Sequence, residues 1–557
     1  MLLSGADILV KTLIEQGCDT VFGYPGGQIL NVYDSLYKYR NEINHVLTAH
    51  EQGAAHAADG YARTTGKVGV VISTSGPGAT NLVTGIATAY LDSIPMVAIC
   101  GNVPTTQIGT DSFQEVDITG ITLPITKHNY FVNSVEDLAD TIREAFRLAK
   151  SGRPGPVLID VPKDVQIAEC EYKKQAPVEK EKPFAAKDTR IEEAAEIINS
   201  AKRPFIYFGG GVIASDAQSE VLKLAEIIDA PVGCSLMGLS AIPTDHPRFL
   251  GMQGMHGHYA SSMSMHNADV IISLGVRFND RVTGNREKFA TGAKIVHIDT
   301  DGSELNKTVN SVCGLRGDIK LTLQKLLPLL NENKKAEWMA RVDAFRKEEE
   351  KYLDKREGLT PRKAILTLNK HLNKNTAVCT DVGQHQMWAA QSLNFKTSRR
   401  FASSGGLGTM GYGLGAAIGA AYGTGERSVL ITGDGSFGMN LNEMATAVRY
   451  NIPVVVIIMN NGVLGMVRQW QTLFYDKHYS NSVLERKTDF PALARAFGAD
   501  GEAVTTPEEL DESLARAFKT EGPYIIDCRI NKDEFVLPML PPGGSMDDII
   551  TKIEVEL

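Results

Sequence analysis

The sequence has no hydrophobic run long enough to cross a bilayer. Its longest apolar runs, such as Val454 to Met459, fall far short of the roughly 20 residues a spanning helix needs. It has no excess of positive charge either. Lys and Arg number 57 against 66 Asp and Glu, a formal charge of −9, which offers no general attraction to nucleic acid or an anionic membrane. The seven cysteines are odd in number, scattered and free of any CxxC pair, the pattern of free thiols in a reducing compartment. Residues 1–10 (MLLSGADILV) lack a basic n-region, and Asp7 interrupts any apolar h-region, so no secretory signal or Arg-rich leader is read here. No short-period repeat is visible, and the 52 glycines cluster between apolar runs. Collagen-like and low-complexity readings fail on that distribution. The expectation is a soluble, cytoplasmic, multidomain protein.

What is present is an alternation of helical stretches and short apolar runs, repeated three times over 557 residues. At roughly 150 residues per domain, that length suggests three or four domains. The first unit, 1–165, holds Lys67 to Ser73, Pro95 to Cys100 and Pro156 to Val161. A polar segment with two prolines, 166–188, reads as a linker. The second unit, 189–330, holds Pro204 to Phe208, Asp269 to Leu274 and Lys294 to Ile298. Residues 331–358 are rich in Lys, Glu and Arg and read as a solvated helix and second linker. The third unit, 359–557, holds Thr376 to Cys379, Ser428 to Thr432, Pro453 to Met459 and Tyr524 to Asp527. Apolar strands joined by helices predict three consecutive α/β domains with mostly parallel sheets flanked by helices.

The strongest chemical signal lies in the third unit. Gly433-Asp434-Gly435 ends one apolar run and Asn460-Asn461 ends the next, with 24 residues between the motifs. Either alone is a common turn. Together they set an Asp carboxylate and an Asn carbonyl at the carboxyl ends of strands, where open α/β sheets place ligands. Such hard oxygens suit Mg²⁺, and the flanking glycines let backbone N–H groups approach a phosphate. Glu51, in TAHEQGAA, opens a helix, where an acidic residue is ordinarily a favourable terminal charge. Gly209-Gly210-Gly211 after PFIYF is a weak dinucleotide hint, since the spaced glycine fingerprint is absent.

On the GDG…NN pair the chain resembles the thiamine-diphosphate-dependent enzymes. The wider pattern, from VFGYPGG through GTDSFQE, PKD, GMHG, RFNDRVTG and GMVRQWQTLFY to VLPMLPPGG, is similar to the acetohydroxyacid (acetolactate) synthase family, large catalytic subunits. That resemblance implies thiamine diphosphate, Mg²⁺ and FAD as cofactors. It places Asp434, Asn461 and the Val463 carbonyl on Mg²⁺, with Gly383, Gln384, His385, Gly435 and Ser436 on the diphosphate. Met410 becomes the wedge that bends the cofactor, and Tyr24, Pro25 and Asn81 lie on its pyrimidine side. Glu51 would reach the pyrimidine of a neighbouring subunit, sharing a proton with the ring nitrogen. Phe113 and Gln114 would line the active site and Lys163 its entrance. Arg281 would meet the carboxylate of the second 2-keto acid, beside Met466 and Trp470.

The same resemblance implies that FAD, in a largely non-redox role, contacts Arg153, Gly209, Gly210, Gly211, Ser235, Leu236, Met255, His256, Gly275, Val276, Arg277, Asp299, Gly317 and Asp318. Asn279 stands where many relatives carry Asp. The implied activity is decarboxylation of pyruvate and ligation of the hydroxyethyl unit to pyruvate or 2-ketobutyrate, in valine, leucine and isoleucine synthesis. A homodimer or homotetramer with a regulatory small subunit is the implied assembly. The rivals are an FAD-independent catabolic synthase, a pyruvate-oxidising relative and an inactive cofactor-binding scaffold.

Overall fold

The computed structural model describes residues 1–553, so the last four residues of the third unit lie outside the described residues. Three six-stranded parallel sheets make up the architecture. The apolar runs become their central strands because a sheet covered by helices on both faces buries every residue of such a strand. Gly69–Ser73, Met96–Asn102, Ser428–Gly433 and Pro204–Phe208 are buried throughout.

The first sheet runs Asn44–Leu47, Thr20–Gly23, Gly69–Ser73, Met96–Asn102, Pro156–Pro162, His128–Phe131. The third runs Phe401–Ala402, Ala377–Thr380, Ser428–Gly433, Val454–Asn460, Tyr524–Arg529, Asp500–Val504. Counted in chain order within each sheet, both have the strand order 2-1-3-4-6-5. The outer domains are therefore one topology used twice, although no short-period repeat is legible in the sequence. The middle sheet runs Phe249–Met252, Val232–Cys234, Pro204–Phe208, Val270–Leu274, Lys294–Asp299, Cys313–Arg316. Its order, 3-2-1-4-5-6, is that of doubly wound dinucleotide-binding sheets.

The two polar segments are more involved than their composition suggests. Within 166–188, Glu169–Glu171 pairs antiparallel with Leu2–Ser4, and the Tyr172 hydroxyl donates to the buried Glu15 carboxylate at 2.8 Å. Within 331–358, helix Ala336–Glu349 buries Trp338 and Val342 on the middle domain. The Trp338 indole N–H donates to the Pro204 carbonyl at 3.0 Å. Two apolar side chains four residues apart suffice to dock a helix whose other faces stay charged. Among the described residues no helix is long and apolar enough to cross a membrane. All seven cysteines are unpaired.

The outer domains dock on each other through helices Glu51–Thr65 and Gly413–Thr424. Their small residues bring the backbones into contact. A Cβ on Gly419 would lie 1.8 Å from the Ala57 carbonyl oxygen, and one on Gly60 would lie 2.1 Å from that of Ala416. Under this crossing Arg63 donates to Asp59 at 2.5 Å and Asp92 at 2.9 Å. The Tyr412 hydroxyl donates to Asp59 at 2.6 Å. Asp92 also accepts the N–H groups of Gly405 and Gly406 at 3.0 and 2.7 Å. Gly419→Val should lower stability by about 1–3 kcal/mol, the usual cost of overpacking. Gly292→Val, at a site with nothing within 4 Å, should not. Urea unfolding followed by circular dichroism compares the two, and equal midpoints would contradict the tight crossing.

Candidate functional site

Three groups of residues collect at the carboxyl edges of the three sheets. In the third domain Ser428–Gly433 and Val454–Asn460 are neighbours, with Gly433 opposite Met459, so both motifs leave the sheet side by side. Asp434 is 5% exposed. Burial pushes its carboxyl up to about 6, against the pull of N–H groups from its own backbone and that of Asn461. Asn461 accepts the Val463 N–H on Oδ1 at 3.3 Å. The loop carrying Val463 is fixed by the Leu464 N–H on Ser482 at 2.7 Å and the Leu484 N–H on Gly462 at 2.9 Å.

On the neighbouring strand, Gly383 leads into helix Gln384–Ser392. His385 is buried, and desolvation pulls its pKa down to about 3, so the ring is neutral. Its Nε2 meets no partner among the described residues. A Cβ on Gly433 would lie 2.9 Å from the His385 Nδ1, and one on Gly435 2.8 Å from Leu464. The Ser436 hydroxyl accepts the Gly411 N–H at 3.2 Å, next to half-buried Met410. The Gln384 side chain turns instead toward Gln469 and the Glu534 carbonyl. A buried carboxylate, an amide oxygen and a nearby carbonyl, with an orphaned neutral imidazole, fit a hard divalent cation and a diphosphate.

The second group lies on the first domain. Glu51 is 9% exposed and accepts the Asn81 Nδ2 at 2.9 Å. Gly78 allows the approach, since its Cβ would lie 3.2 Å from the Glu51 Oε1. Tyr24 and Pro25 follow strand Thr20–Gly23, and the Gln28 N–H donates to Thr74 at 3.3 Å. Gln114 sits at φ 63°, a region disfavoured for side chains, pressed against Gly76. Phe113 is 84% exposed, and the Lys163 ammonium donates to the Gly27 carbonyl at 3.3 Å. Among the described residues no hydrogen bond or ion pair joins Tyr24, Glu51, Asn81 or Gln114 to Asp434 or Asn461.

The third group surrounds a cavity of about 1320 Å³ at the junction of the domains. Of the residues expected on FAD, all but Gly209 and Gly317 line it. Those two pack behind the wall: a Cβ on Gly209 would lie 2.5 Å from the Gly275 carbonyl, and one on Gly317 2.5 Å from the Ala186 nitrogen. Gly209–Gly211 and Gly275–Arg277 leave the first and fourth strands of the middle sheet, on either side of its switch point. Arg153 bonds Glu304 at 2.9 Å and Ser93 at 2.7 Å, and Arg277 donates to the Leu91 carbonyl. Burial raises Asp299 to about 6 and lowers His256 to about 4, the latter with help from Arg281. Among the described residues the Tyr207 hydroxyl, the His256 Nδ1 and the Gln253 Oε1 are buried without partners, and all three residues line the cavity. Such orphans in a large half-apolar space fit a polar aromatic ligand such as a flavin.

The same cavity is continuous with Arg281, Met466 and Trp470. The Arg281 guanidinium lies 5.9 Å from the Trp470 ring centroid and 3.8 Å from the Met255 sulfur. Sequence reasoning passed over Arg63, Asp92 and Tyr207, which line this cavity, and Glu443. The buried Glu443 carboxylate accepts the Ala49 and His50 N–H groups at 3.1 and 3.0 Å, just before Glu51. Only its place nine residues after Asp434 could have flagged it.

Three family models match the chain: the thiamine pyrophosphate enzyme N-terminal TPP binding domain over 3–121, the central domain over 191–326 and the C-terminal TPP binding domain over 381–528. The probable acetolactate synthase large subunit of Methanocaldococcus jannaschii is 45% identical, covering 100% of this chain and 96% of its own length. The acetolactate synthase large subunit of Corynebacterium glutamicum is 44% identical, covering 98% and 90%. The isozyme 3 large subunit of Escherichia coli is 42% identical, covering 98% of each.

Gly211→Val would press a side chain into the wall of the cavity, since a Cβ there would lie 2.6 Å from the Gly275 Cα. The variant should be less stable by about 1–3 kcal/mol, the usual cost of overpacking. Thermal unfolding followed by circular dichroism measures this, and an unchanged melting midpoint would contradict the close approach of the two glycine turns.

Proposed function

Because the chain belongs to the thiamine pyrophosphate enzymes and, within them, to the acetolactate synthase large subunits, we propose that it decarboxylates pyruvate and joins the remaining two-carbon unit to a second 2-keto acid. The observation that carries this reading is the meeting of Asp434 and Asn461 on adjacent strand ends, in a chain similar to such synthases over its whole length. Pyruvate as acceptor gives 2-acetolactate and 2-ketobutyrate gives 2-aceto-2-hydroxybutyrate, both precursors of branched-chain amino acids.

Bound thiamine diphosphate supplies the nucleophilic carbon and the electron sink that decarboxylation requires. Asp434, Asn461 and the Val463 carbonyl would hold Mg²⁺, and His385 with the Gly435–Ser436 backbone would receive the diphosphate. Glu51, shielded from water and steadied by Asn81, would face the pyrimidine nitrogen and exchange a proton with it. Arg281 would orient the acceptor carboxylate through its planar fork, against a wall formed by Trp470 and Met466. Tyr24, Pro25, Phe113, Gln114 and Lys163 would shape the approach. Among the described residues no hydrogen bond or ion pair joins the Glu51 group to the Asp434 group within one chain, which supports a homodimer, or a pair of them, in which each copy completes the other's site. The relatives are large subunits by name, which supports a regulatory small subunit as partner.

Glu51→Gln should cut acetolactate formation by roughly 10²-fold or more, the scale of lost proton transfer, with an unchanged melting curve. Full activity in that variant would remove the role given to Glu51. Flavin is tested by assaying acetolactate formation from pyruvate, with thiamine diphosphate and Mg²⁺, in flavin-stripped protein. The expected result is activity restored by FAD. Undiminished activity without it would move the assignment to the FAD-independent catabolic branch.

A further inference from the structure

Two buried glutamines connect the cation-binding end of the site to the chain segment 534–536. The Val536 N–H donates to the Gln469 Oε1 at 2.9 Å, and the Gln469 Nε2 donates to the Val536 carbonyl at 3.1 Å and touches the Met539 sulfur at 3.4 Å. A backbone N–H can only donate and a carbonyl can only accept, so this pairing fixes which end of the Gln469 amide is which. The Gln384 Nε2 donates to the Glu534 carbonyl at 2.7 Å and to the Gln469 Oε1 at 3.0 Å. Both partners are acceptors, so the Gln384 Oε1 must face the other way. There it accepts the Asn461 Nδ2 at 3.3 Å. With its nitrogen spent on Gln384, Asn461 is left with its carbonyl oxygen turned away from that contact. Among the described residues the Asn461 Oδ1 bonds only the Val463 N–H.

We propose that Gln469, acting through Gln384, is a positioning residue that orients the Asn461 side chain so that its oxygen, not its nitrogen, faces the cation. The inference rests on the reading of Asn461 as a ligand. Asparagine is a poor ligand when free to flip, because its two ends have the same shape and opposite polarity. Gln469 is fully buried and Gln384 nearly so, so neither amide can turn without stranding a polar group away from water. Gly465 contributes to the same fixation: a Cβ there would lie 1.9 Å from the Gln384 Oε1 and 3.0 Å from the Asn461 Nδ2. The helix it opens, Gly465–Phe474, carries Met466 and Trp470 as well as Gln469. One amide therefore holds both the cation ligand and the helix that walls the acceptor pocket.

The test measures Mn²⁺ affinity by electron paramagnetic resonance of the free ion, on the full chain with thiamine diphosphate present. Gln469→Met keeps the length of the side chain and removes its amide. Loss of such outer support typically costs 10- to 100-fold in metal affinity, and a weakening of about tenfold or more is expected. Gln469→Glu retains an oxygen toward Gln384 and Val536 and should recover most of that loss. Gly465→Ala attacks the Gln384 amide from the opposite side and should weaken Mn²⁺ by a similar factor, which keeps the test alive if Gln469→Met fails to fold. A structural role alone would lower the melting midpoint of these variants and leave Mn²⁺ affinity at the wild-type value, and that result overturns the proposal. If the wild-type protein binds thiamine diphosphate without any divalent ion, the ligand reading of Asn461 fails first, and the inference with it.

Discussion

The buried guanidinium of Arg63 is the point on which the arrangement of the outer domains turns. Two carboxylates, Asp59 and Asp92, face it with almost no solvent between them. Burial of three charged groups is expensive, and it is offset only when every lone pair finds a donor. Asp59 finds one in Tyr412, and Asp92 finds two in Gly405 and Gly406. Those donors belong to the third domain, whereas the charges belong to the first. Neither domain satisfies the network alone, so the charges act as a key that accepts one docking geometry. The close glycine contacts of the crossing helices complete that geometry, since any Cβ at Gly60 or Gly419 would hold the backbones apart.

The docking leaves two buried acidic groups at the carboxyl edges of the outer sheets. The carboxyl edge of the first sheet presents Glu51 and its neighbours, and the carboxyl edge of the third presents Asp434 and Asn461. The docking is made by helices Glu51–Thr65 and Gly413–Thr424 and by Glu443, whose carboxylate reaches the Ala49 and His50 N–H groups at the first of these edges. Among the described residues no hydrogen bond joins Glu51 or Asn81 to Asp434 or Asn461. Arg63 and Asp92 also reach the wall of the central cavity, so the charges that set the docking help enclose the space proposed for the flavin.

The sequence made the centre of each sheet legible and left the edges obscure. Pro204–Phe208 and Ser428–Gly433 announce themselves as unbroken apolar runs, because strands covered on both faces need nothing else. Asp500–Val504 (DGEAV) and Asn44–Leu47 (NHVL) do not, because an edge strand covered on one face tolerates charge. Phe401–Ala402 is too short to leave any pattern. Helix Ala336–Glu349 was legible as a solvated helix, but its docking was hidden by its charges, since only Trp338 and Val342 are committed to the core. The site divides in the same way. Asp434 and Asn461 are legible because the motif and the strand end are local in sequence. Glu443 gripping the N-terminus of the Glu51 helix is not, because the contact spans 393 residues and no spacing rule connects its ends.

Backbone polarity is the one reference in this site that cannot be inverted. A side-chain amide reads the same by shape in either orientation, and a hydroxyl turns freely. A peptide N–H beside its own strand or turn does neither, since its direction is set by the fold. Segment 534–536 lies far from Asp434 in sequence, yet its N–H and carbonyls order Gln469, then Gln384, then Asn461. Each amide in the chain has its polarity dictated by the one before, so the oxygen offered to a cation is decided by the path of the C-terminal backbone. A hydrophobic residue at either glutamine would fill the volume as well, but it would transmit no direction. That is the physical reason for placing two amides in a core where leucine would pack more cheaply.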